Sequence, residues 1–447
     1  MISDMTKGNP LKLILSFSVP MLIGNIFQQL YSMVDTIIVG RFVGVNALAA
    51  LGACNSLFFL VNGLVLGLTS GFAVLVAQKF GAKDEKGVKK AVASNITLTI
   101  VLTVIITIVA LLAVKPLLNM MNTPENIYED ARVYITLIYA GIITQTGYNM
   151  AAGILRALGD SKTPLYFLIV ASILNVILDL IFIINFNMGV AGAALSTLFS
   201  RALSAIVIFY YLRKPRQVVV VKDYLQIRPD MPLIMKILAI GVPAGIENGM
   251  FQFGKLAIQS TVSTMGTVAI AAQAMANILE MVNGIFGVGV GIGLMTMVGQ
   301  AIGAGRREEA KFYVVRCTQI GLVGILVSCL LVLAATKPIL WIAGMEAESA
   351  AMCFDMVVAI TIAKPLFWTF SFIPAYGMRA AGDVKFSMIT STITMWCLRV
   401  ALCIFLVRQY HMGPMAVWYG MFADWAVRGV IFFIRFKSGK WLHSKVV

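Results

Sequence analysis

Hydrophobic residues form long runs in this chain, separated by short polar segments, and the pattern predicts an all-α integral membrane protein. At ~1.5 Å per helical residue, each run is long enough to cross a hydrocarbon core of ~30 Å. The longest separator, residues 213–232, is rich in Arg and Lys and divides the runs into two sets of six. The twelve predicted transmembrane helices are 13–40, 48–78, 91–114, 131–153, 164–185, 189–212, 233–258, 268–300, 312–336, 350–377, 386–407 and 413–434.

The two sets of six are an internal repeat. Pro20 recurs as Pro243, and the segment 156–160 (RALGD) recurs as 379–383 (RAAGD), both at an offset of 223 residues. Because six is an even number, both halves cross the membrane in the same direction, and parallel repeats of this kind are a transporter architecture. The sequence therefore predicts two pseudo-symmetric six-helix bundles, 1–212 and 233–447, joined by a basic cytoplasmic linker, 213–232.

Composition and charge agree with the membrane interpretation and orient it. Of the 447 residues, 60% are hydrophobic and 12% charged, and the net charge is +15. With the N-terminus placed in the cytoplasm, 24 of the 35 Lys and Arg residues fall on the cytoplasmic side and five on the other. The positive-inside rule then predicts a multi-pass protein of the plasma (inner) membrane with both termini cytoplasmic. The positive-inside rule accounts for the positive net charge, so we expect no nucleic-acid partner.

Four oxygen-bearing side chains from three runs are the candidate site: Asp35, Asn175, Asp179 and Thr197. Counting ~1.5 Å per residue from the outer ends places them ~8–15 Å deep, in the outer half of the N-terminal bundle. A carboxylate inside a span is costly and usually faces a bundle interior or a wet cavity. Two carboxylates with an amide and a hydroxyl suit Na⁺ or a shared proton. The alternative is a set of separate groups that cap water pockets.

The second half lacks this set. At the repeat offset, Asp35 corresponds to Ile258, Asn175 to Leu398 and Asp179 to Leu402. The fold is repeated while the ion chemistry is one-sided. The sequence therefore places the coupling function in the N-terminal half.

The second half has charges of its own within its spans. Glu247 lies four residues after Pro243 and has two interpretations, contact with a cationic substrate or a role in a buried ion pair. Lys255 stands in the same span, and Lys364 and Arg399 stand in two others.

Other classes of chemistry have no support in the sequence. There is no Walker motif, no metal triad and no serine-histidine-acid set, and the six cysteines show no C-x-x-C pairing. We therefore expect no enzyme activity, no cofactor and no metal beyond a Na⁺ ion at the cation site.

The whole chain resembles the multidrug and toxic compound extrusion (MATE) family. The resemblance implies a twelve-helix V-shaped fold and an antiporter that expels organic cations or drugs while Na⁺ or H⁺ enters. The residues that carry it are Pro20, Asp35, Asn175 and Asp179, with the segments 78–83 (QKFGAK), 156–160 and 298–303 (VGQAIG).

The resemblance also implies roles for single residues. Asp35, Asn175, Asp179 and Thr197 match the N-lobe cation site of that family. By the same match, Pro20 is the hinge where the first helix bends, and the N-lobe cavity is lined by Gln28 and Tyr31.

One position departs from the family pattern. The NorM-like branch is expected to carry an acid eleven residues before Arg379, where this chain has Trp368. The sequence is therefore closer to the DinF-like branch, and a cation site in the C-terminal half is in doubt.

The resemblance predicts alternating access of the two bundles, a cationic amphipathic substrate, contact with membrane lipid and a monomer. The alternative function is a flippase for a lipid-linked or amphipathic substrate on a related fold. A phosphate headgroup would favour a cationic cavity, and Lys255, Lys364 and Arg399 keep that alternative open.

Overall fold

The computed structural model describes residues 10–121, 123–212 and 230–443 of the chain. Within these ranges the chain is helical and contains no β-strand. The helices are α1 Pro10–Phe42, α2 Val45–Gly81, α3 Glu85–Met120, α4 Glu125–Ala140, α5 Ile142–Ala157, α6 Lys162–Asp179, α7 Gly189–Leu212, α8 Met231–Val262, α9 Thr267–Gly303, α10 Arg307–Ile342, α11 Ala347–Ala363, α12 Thr369–Ala380, α13 Val384–Ile393, α14 Ala401–Tyr410 and α15 Met415–Ser438.

Three π-helical segments connect or extend these helices inside the apolar runs. They are Leu180–Asn185 after α6, Lys364–Trp368 between α11 and α12, and Thr394–Val400 between α13 and α14. Pro365 lies in the second of them, and a proline removes a helix hydrogen bond and crowds the preceding turn, which favours a wider turn. Two 3₁₀ turns, Ser263–Met265 and Lys440–His443, complete the described helical structure.

Eleven helical stretches of the described chain are long and apolar enough to cross a membrane. They coincide with eleven of the twelve predicted runs, so the all-α multi-span fold is confirmed. The remaining run, 131–153, is divided between α4 and α5.

The division of that run occurs at Gly141. Its backbone leaves the helix (φ −94°, ψ 11°), and its carbonyl accepts a hydrogen bond from the Thr144 hydroxyl at 2.8 Å. A β-carbon at Gly141 would collide with the Leu198 side chain of α7. The glycine therefore allows α7 to approach the break closely.

Two compact units divide the chain. The chain passes from one unit to the other inside α1 and inside α8, in each case two residues after a proline, Pro20 or Pro243. The predicted halves 1–212 and 233–447 differ from these units at the beginning of α1 and of α8. Most of the predicted linker, residues 213–229, lies outside the described residues. Of the described residues, unit 1 contains those between Ile23 and Gly245, and unit 2 contains those up to Leu22 and those from Ile246 onward.

Glycines bring helices of unit 1 into backbone contact. A β-carbon on Gly67 of α2 would meet the backbone of Ala244 and Gly245 in α8, and one on Gly71 would meet the backbone of Gly241. Small residues at four-residue spacing are a common way for membrane helices to pack closely. The first part of α8 is thereby held against α2.

In unit 2 the glycines of α9 make looser contacts with α1 than the α2 glycines make with α8 in unit 1. A β-carbon on Gly289 would lie 3.4 Å from the carbonyl oxygen of Ser18 in α1, and one on Gly293 would lie 3.2 Å from the ring of Phe17. Ile14 and Phe17 of α1 belong to the hydrophobic core of this unit. The beginning of α1 therefore packs on α9.

The repeated RALGD and RAAGD segments end helices in the same way. Gly159 and Gly382 both adopt positive φ, +83° and +97°, which suits a glycine just after a helix end. The next residue differs in its role. Asp160 accepts hydrogen bonds from main-chain N–H groups at the start of α6 (3.0–3.1 Å), whereas Asp383 binds Arg435 through two hydrogen bonds (2.8 and 3.0 Å).

Candidate cation site

Two helices of unit 1 bring a polar set together inside the apolar interior. The Asn175 amide of α6 donates to the hydroxyl groups of Ser196 and Thr197 on α7, both at 3.4 Å. Ser196 in turn donates to a carboxylate oxygen of Asp179, one turn after Asn175. The Thr197 hydroxyl donates to the Ala193 carbonyl at 3.1 Å, and the Ser196 hydroxyl, which has a single proton, also lies 2.9 Å from that carbonyl.

Asp35 of α1 completes the set. Its carboxyl group is close enough to that of Asp179 for the two acids to interact electrostatically. Asp179 is fully buried, and Asp35 is half-buried. Two carboxylates cannot face each other at this range without a proton or a cation between them.

Three oxygen atoms of this set have no hydrogen-bond partner among the described residues: Asp35 Oδ1, Asp179 Oδ2 and Asn175 Oδ1. Buried oxygens of this kind are costly unless something binds them. With the Thr197 hydroxyl beside them, they form an all-oxygen donor set of the kind that hard cations take. The structure thus brings together all four residues that the sequence predicts.

The local helix geometry at Asp179 is unusual. α6 ends at this residue, and the π-helical segment Leu180–Asn185 begins directly after it. π-helical turns occur frequently at functional sites because they shift side chains relative to a regular helix. The turn is therefore part of what positions the carboxyl group of Asp179.

Gln28, Tyr31 and Asp35 share one face of α1, since they are spaced by three and four residues. The Tyr31 hydroxyl accepts a hydrogen bond of 2.9 Å from the Arg201 guanidinium of α7. Arg201 is a functional candidate that the sequence interpretation did not single out. The signal was present, since a charged residue inside an apolar run is costly and usually has a purpose.

A cavity of about 30 Å³ opens beside these residues in unit 1. Thr197, Arg201 and Gln145 are among the side chains that line it, together with Asn62, which accepts a hydrogen bond of 3.0 Å from Gln145. The surface that these walls expose to the cavity is apolar. Thr197 therefore lies at the edge of a small apolar space beside the cation set.

Glu247 lies elsewhere, in unit 2. Its carboxylate accepts hydrogen bonds from Ser391 (2.8 Å) and Ser387 (3.1 Å) and forms an ion pair with Arg379 at 3.7 Å. Of the two interpretations of this acid, the structure shows the contacts of the paired one. It does not bring Glu247 into the unit that contains Gln28 and Tyr31.

Pro20 is buried within α1, which continues as a helix through it. Trp368, where an acid was expected by family pattern, is also buried; it stacks on Phe372 with ring centroids 4.9 Å apart. The Lys364 ammonium lies 5.5 Å from the Trp368 ring centroid. Among the described residues, no group of three or more His, Cys, Asp or Glu side chains could hold a metal ion.

Known proteins resemble this chain over its whole length. The MatE family model matches residues 20–181 and 243–405, two segments whose starts are 223 residues apart. The probable multidrug resistance protein YpnP of Bacillus subtilis is 30% identical over 306 residues, 68% of each chain. The probable multidrug resistance protein YoeA of the same organism is 28% identical over 421 residues, 92% of this chain and 90% of the relative.

A solved structure has the same fold. The chain superposes on a MOP superfamily transporter from Pyrococcus furiosus with a TM-score of 0.89 and 24% identity, over 98% of both chains. The two matched segments and this superposition agree with the repeat deduced from the sequence.

Proposed function

This chain belongs to the MatE family, and from that premise we propose that it is a secondary active antiporter that exports organic cations or drugs in exchange for Na⁺ or H⁺. The relatives are described as multidrug resistance proteins, which supports a small-molecule substrate. The observation that carries the proposed coupling is the oxygen set of Asp35, Asn175 and Asp179. Three buried oxygen atoms of this set have no hydrogen-bond partner among the described residues.

The coupling ion binds between the carboxyl groups of Asp35 and Asp179. A proton shared by the two acids, or a Na⁺ ion with Asn175 and Thr197 as further oxygen ligands, removes the repulsion of two facing carboxylates. Either ion neutralises charge that is otherwise costly inside the membrane. The same pair therefore serves Na⁺ and H⁺ coupling equally well by its geometry.

Exchange requires that the bound ion and the bound substrate weaken each other's binding. If ion binding weakens substrate binding, then substrate must weaken ion binding by the same factor. A cationic substrate satisfies this condition, because it is attracted to ionised carboxylates and loses that attraction when an ion neutralises them.

Movement of α1 connects the site to substrate release. The helix carries Gln28, Tyr31 and Asp35 on one face, and Pro20 lies two residues from the point where α1 passes between units. A proline lowers the cost of a bend there, because one helix hydrogen bond is already missing. Ion binding at Asp35 favours bending near Pro20, and Gln28 and Tyr31 then release the substrate.

The remaining proposals follow from orientation and family. The protein resides in the plasma (inner) membrane with both termini cytoplasmic, in contact with membrane lipid, and works as a monomer. Glu247 is given a structural role, since its carboxylate is already bound by Arg379 and two serines. The likeness to the DinF-like branch stays a prediction.

A flippase for a lipid-linked or amphipathic substrate is the second candidate function. The buried guanidinium of Arg399 in unit 2 favours it, because two of its nitrogen atoms have no hydrogen-bond partner among the described residues. The acidic pair in unit 1 opposes it, since ionised carboxylates repel a phosphate headgroup.

Proteoliposomes containing the purified protein and a fluorescent organic cation test the proposal. A Na⁺ gradient and a pH gradient are imposed separately, and movement of the dye is recorded. We expect one gradient to drive movement and Asp35→Asn to abolish it, with Glu308→Gln, an exposed acid, as the control. No response to either gradient, together with scrambling of a labelled lipid, would replace the antiporter by the flippase.

A further inference from the structure

Unit 2 contains a group of charged side chains within its helices that the proposed coupling does not use. Two acids, Glu280 and Asp424, and four bases lie close enough to influence one another. The group therefore carries an excess of positive charge inside an apolar bundle. The four bases are Lys255, Lys364, Arg399 and Arg428.

Each of the two acids already has a basic partner. Lys364 donates to the Glu280 carboxylate at 2.5 Å, to the Glu280 carbonyl at 2.7 Å and to Asn283 at 2.7 Å. Arg428 binds Asp424 through two hydrogen bonds of 2.7 and 2.9 Å. These contacts make two neutral pairs, and among the residues that the structure describes Lys255 and Arg399 have no ion pair with an acid.

Arg399 is the more demanding of the two. The residue is only 4% exposed, and its Nε and Nη1 atoms have no hydrogen-bond partner in the described part of the chain. A buried guanidinium with unused donors costs several kcal/mol unless an acceptor reaches it. The guanidinium fork matches a carboxylate or phosphate group in shape and charge.

Lys255 places a second cation beside it. The Lys255 ammonium lies 5.0 Å and the Arg399 guanidinium 5.2 Å from the centroid of the same ring, Phe251, so they are within about 10 Å of each other. Lys255 is exposed where Arg399 is buried. The pair therefore has an accessible cation and a buried one.

Close helix packing surrounds the main chain that carries Arg399. A β-carbon at Gly254 of α8 would meet the side chain of Met395, so the glycine lets the π-helical segment Thr394–Val400 pack closely on α8. A β-carbon at Gly420 of α15 would collide with the carbonyl oxygen of Arg399. The segment that carries Arg399 is therefore packed between α8 and α15.

We propose that Lys255 and Arg399 form an oxyanion-binding site in unit 2, for the carboxylate or phosphate group of an amphipathic molecule. The site extends the substrate class from pure cations to zwitterionic and anionic amphiphiles. This inference rests on the proposed export function, but binding at the site requires no ion gradient.

A matched pair of dyes tests the site: a rhodamine with a free carboxylate and the methyl ester of the same dye. Fluorescence anisotropy with the purified full-length protein in detergent gives the affinity for each. We expect the wild type to bind the free acid more tightly than the ester. Loss of a charged hydrogen-bond donor predicts that Arg399→Gln weakens binding of the free acid about tenfold or more and leaves the ester within twofold.

Lys255→Gln changes an exposed side chain and is expected to fold normally, so it supplies an independent variant with the same selective loss. Arg399→Lys, which keeps the charge, should restore part of the preference for the free acid. Arg316→Gln, an exposed base outside the group, is the control and should change neither affinity. Equal affinities for the free acid in the wild type, Arg399→Gln and Lys255→Gln would overturn the proposal.

Nanodiscs distinguish the two sources of the oxyanion. If the site takes a lipid headgroup, phosphatidylglycerol in place of phosphatidylcholine weakens binding of the free acid to the wild type but not to Arg399→Gln. If the oxyanion belongs to a soluble substrate, the change of lipid alters the affinity for the free acid in neither the wild type nor Arg399→Gln. Gradient-driven export in proteoliposomes is recorded separately, so a failure of transport with selective dye binding would reject the antiporter and retain the site.

Discussion

The two halves of the molecule share a fold and carry opposite chemistry at equivalent helices. In unit 1, α6 ends in Asp179 and α7 carries Arg201. The segment 188–189 (MG) recurs as 412–413, so α15 is the equivalent of α7, and it carries Asp424. The helix equivalent to α6 carries Arg399. An acid on α6 and a base on α7 thus become a base and an acid on the equivalent helices, and α15 adds Arg428 beside its acid.

The partners of these residues show what the exchange achieves. Within the described part of the chain, Asp35 and Asp179 of unit 1 have oxygen atoms without a hydrogen-bond partner, while Arg201 is bound to Tyr31. In unit 2, Glu280 and Asp424 are bound by basic side chains, and Arg399 has nitrogen atoms without a partner among the same described residues. One repeated scaffold thus carries the proposed cation site in one half and the proposed oxyanion site in the other. A duplicated fold can diverge in charge while its packing is retained.

The largest effect that we expect concerns the acid pair of unit 1. Asp179→Asn removes a charge from the ion site while keeping the shape of the side chain. Ion-driven export should fall by about a hundredfold or more, since the proposed coupling has no second acid pair. The initial rate of dye export under an ion gradient measures it. Glu247→Gln in unit 2 should retain most of the export rate. Equal losses of rate in both variants would contradict the claim that ion coupling depends on unit 1 alone.

The next effect concerns stability in unit 2. Lys364→Met leaves the half-buried Glu280 without its partner, which costs up to roughly 3–5 kcal/mol. Thermal unfolding of the purified protein should show a large fall in Tm, and the double variant with Glu280→Gln should recover much of it. Lys311→Met breaks an exposed pair with Glu308 and should cost less than about 1 kcal/mol. Similar falls for Lys364→Met and Lys311→Met would contradict the buried pairing.

A smaller loss of stability is expected from Gly→Ala substitutions, and it should differ between the two units. Gly71→Ala pushes a methyl group against the backbone of Gly241, so we expect a loss of about 1–3 kcal/mol. Gly289→Ala in unit 2 meets only ordinary contacts and should cost less. Gly52→Ala, whose methyl group meets no atom within 4 Å, is the matched control on α2 and should not lower Tm. The three Tm values test the order directly.

The smallest effect distinguishes the two aspartates of the repeated loop segments. Asp160→Asn keeps a side-chain oxygen for the start of α6 and should cost only a few tenths of a kcal/mol, whereas Asp160→Ala should cost about 1 kcal/mol. Asp383→Asn loses the ion pair with Arg435, and that loss should shrink as salt is raised. A salt-dependent loss in Asp160→Ala instead would reverse the assigned roles.

Much of the fold could be predicted from the sequence because hydrophobic runs, the 223-residue repeat and intramembrane acids are properties of the chain alone. Asp35, Asn175, Asp179 and Thr197 were found by residue type, spacing and family resemblance. The break at Gly141 was not, since it depends on how Leu198 packs against it.

Other features depend on three-dimensional partners as well. Glu247 and Arg201 have similar status in the sequence, a single charge in an apolar run. Only the structure shows that Arg379 binds the first and that the second binds Tyr31. The exchange of acid and base between the halves emerges only when the repeat is combined with these contacts.

The central claim is that the coupling ion binds in unit 1 and nowhere in unit 2. Equilibrium binding of radioactive Na⁺ to the purified protein, with proton release on addition of an organic cation recorded in parallel, measures this directly. We predict one ion per chain, lost in Asp179→Asn and retained in Glu247→Gln. Retention of the ion in Asp179→Asn, or its loss in Glu247→Gln alone, would contradict the account.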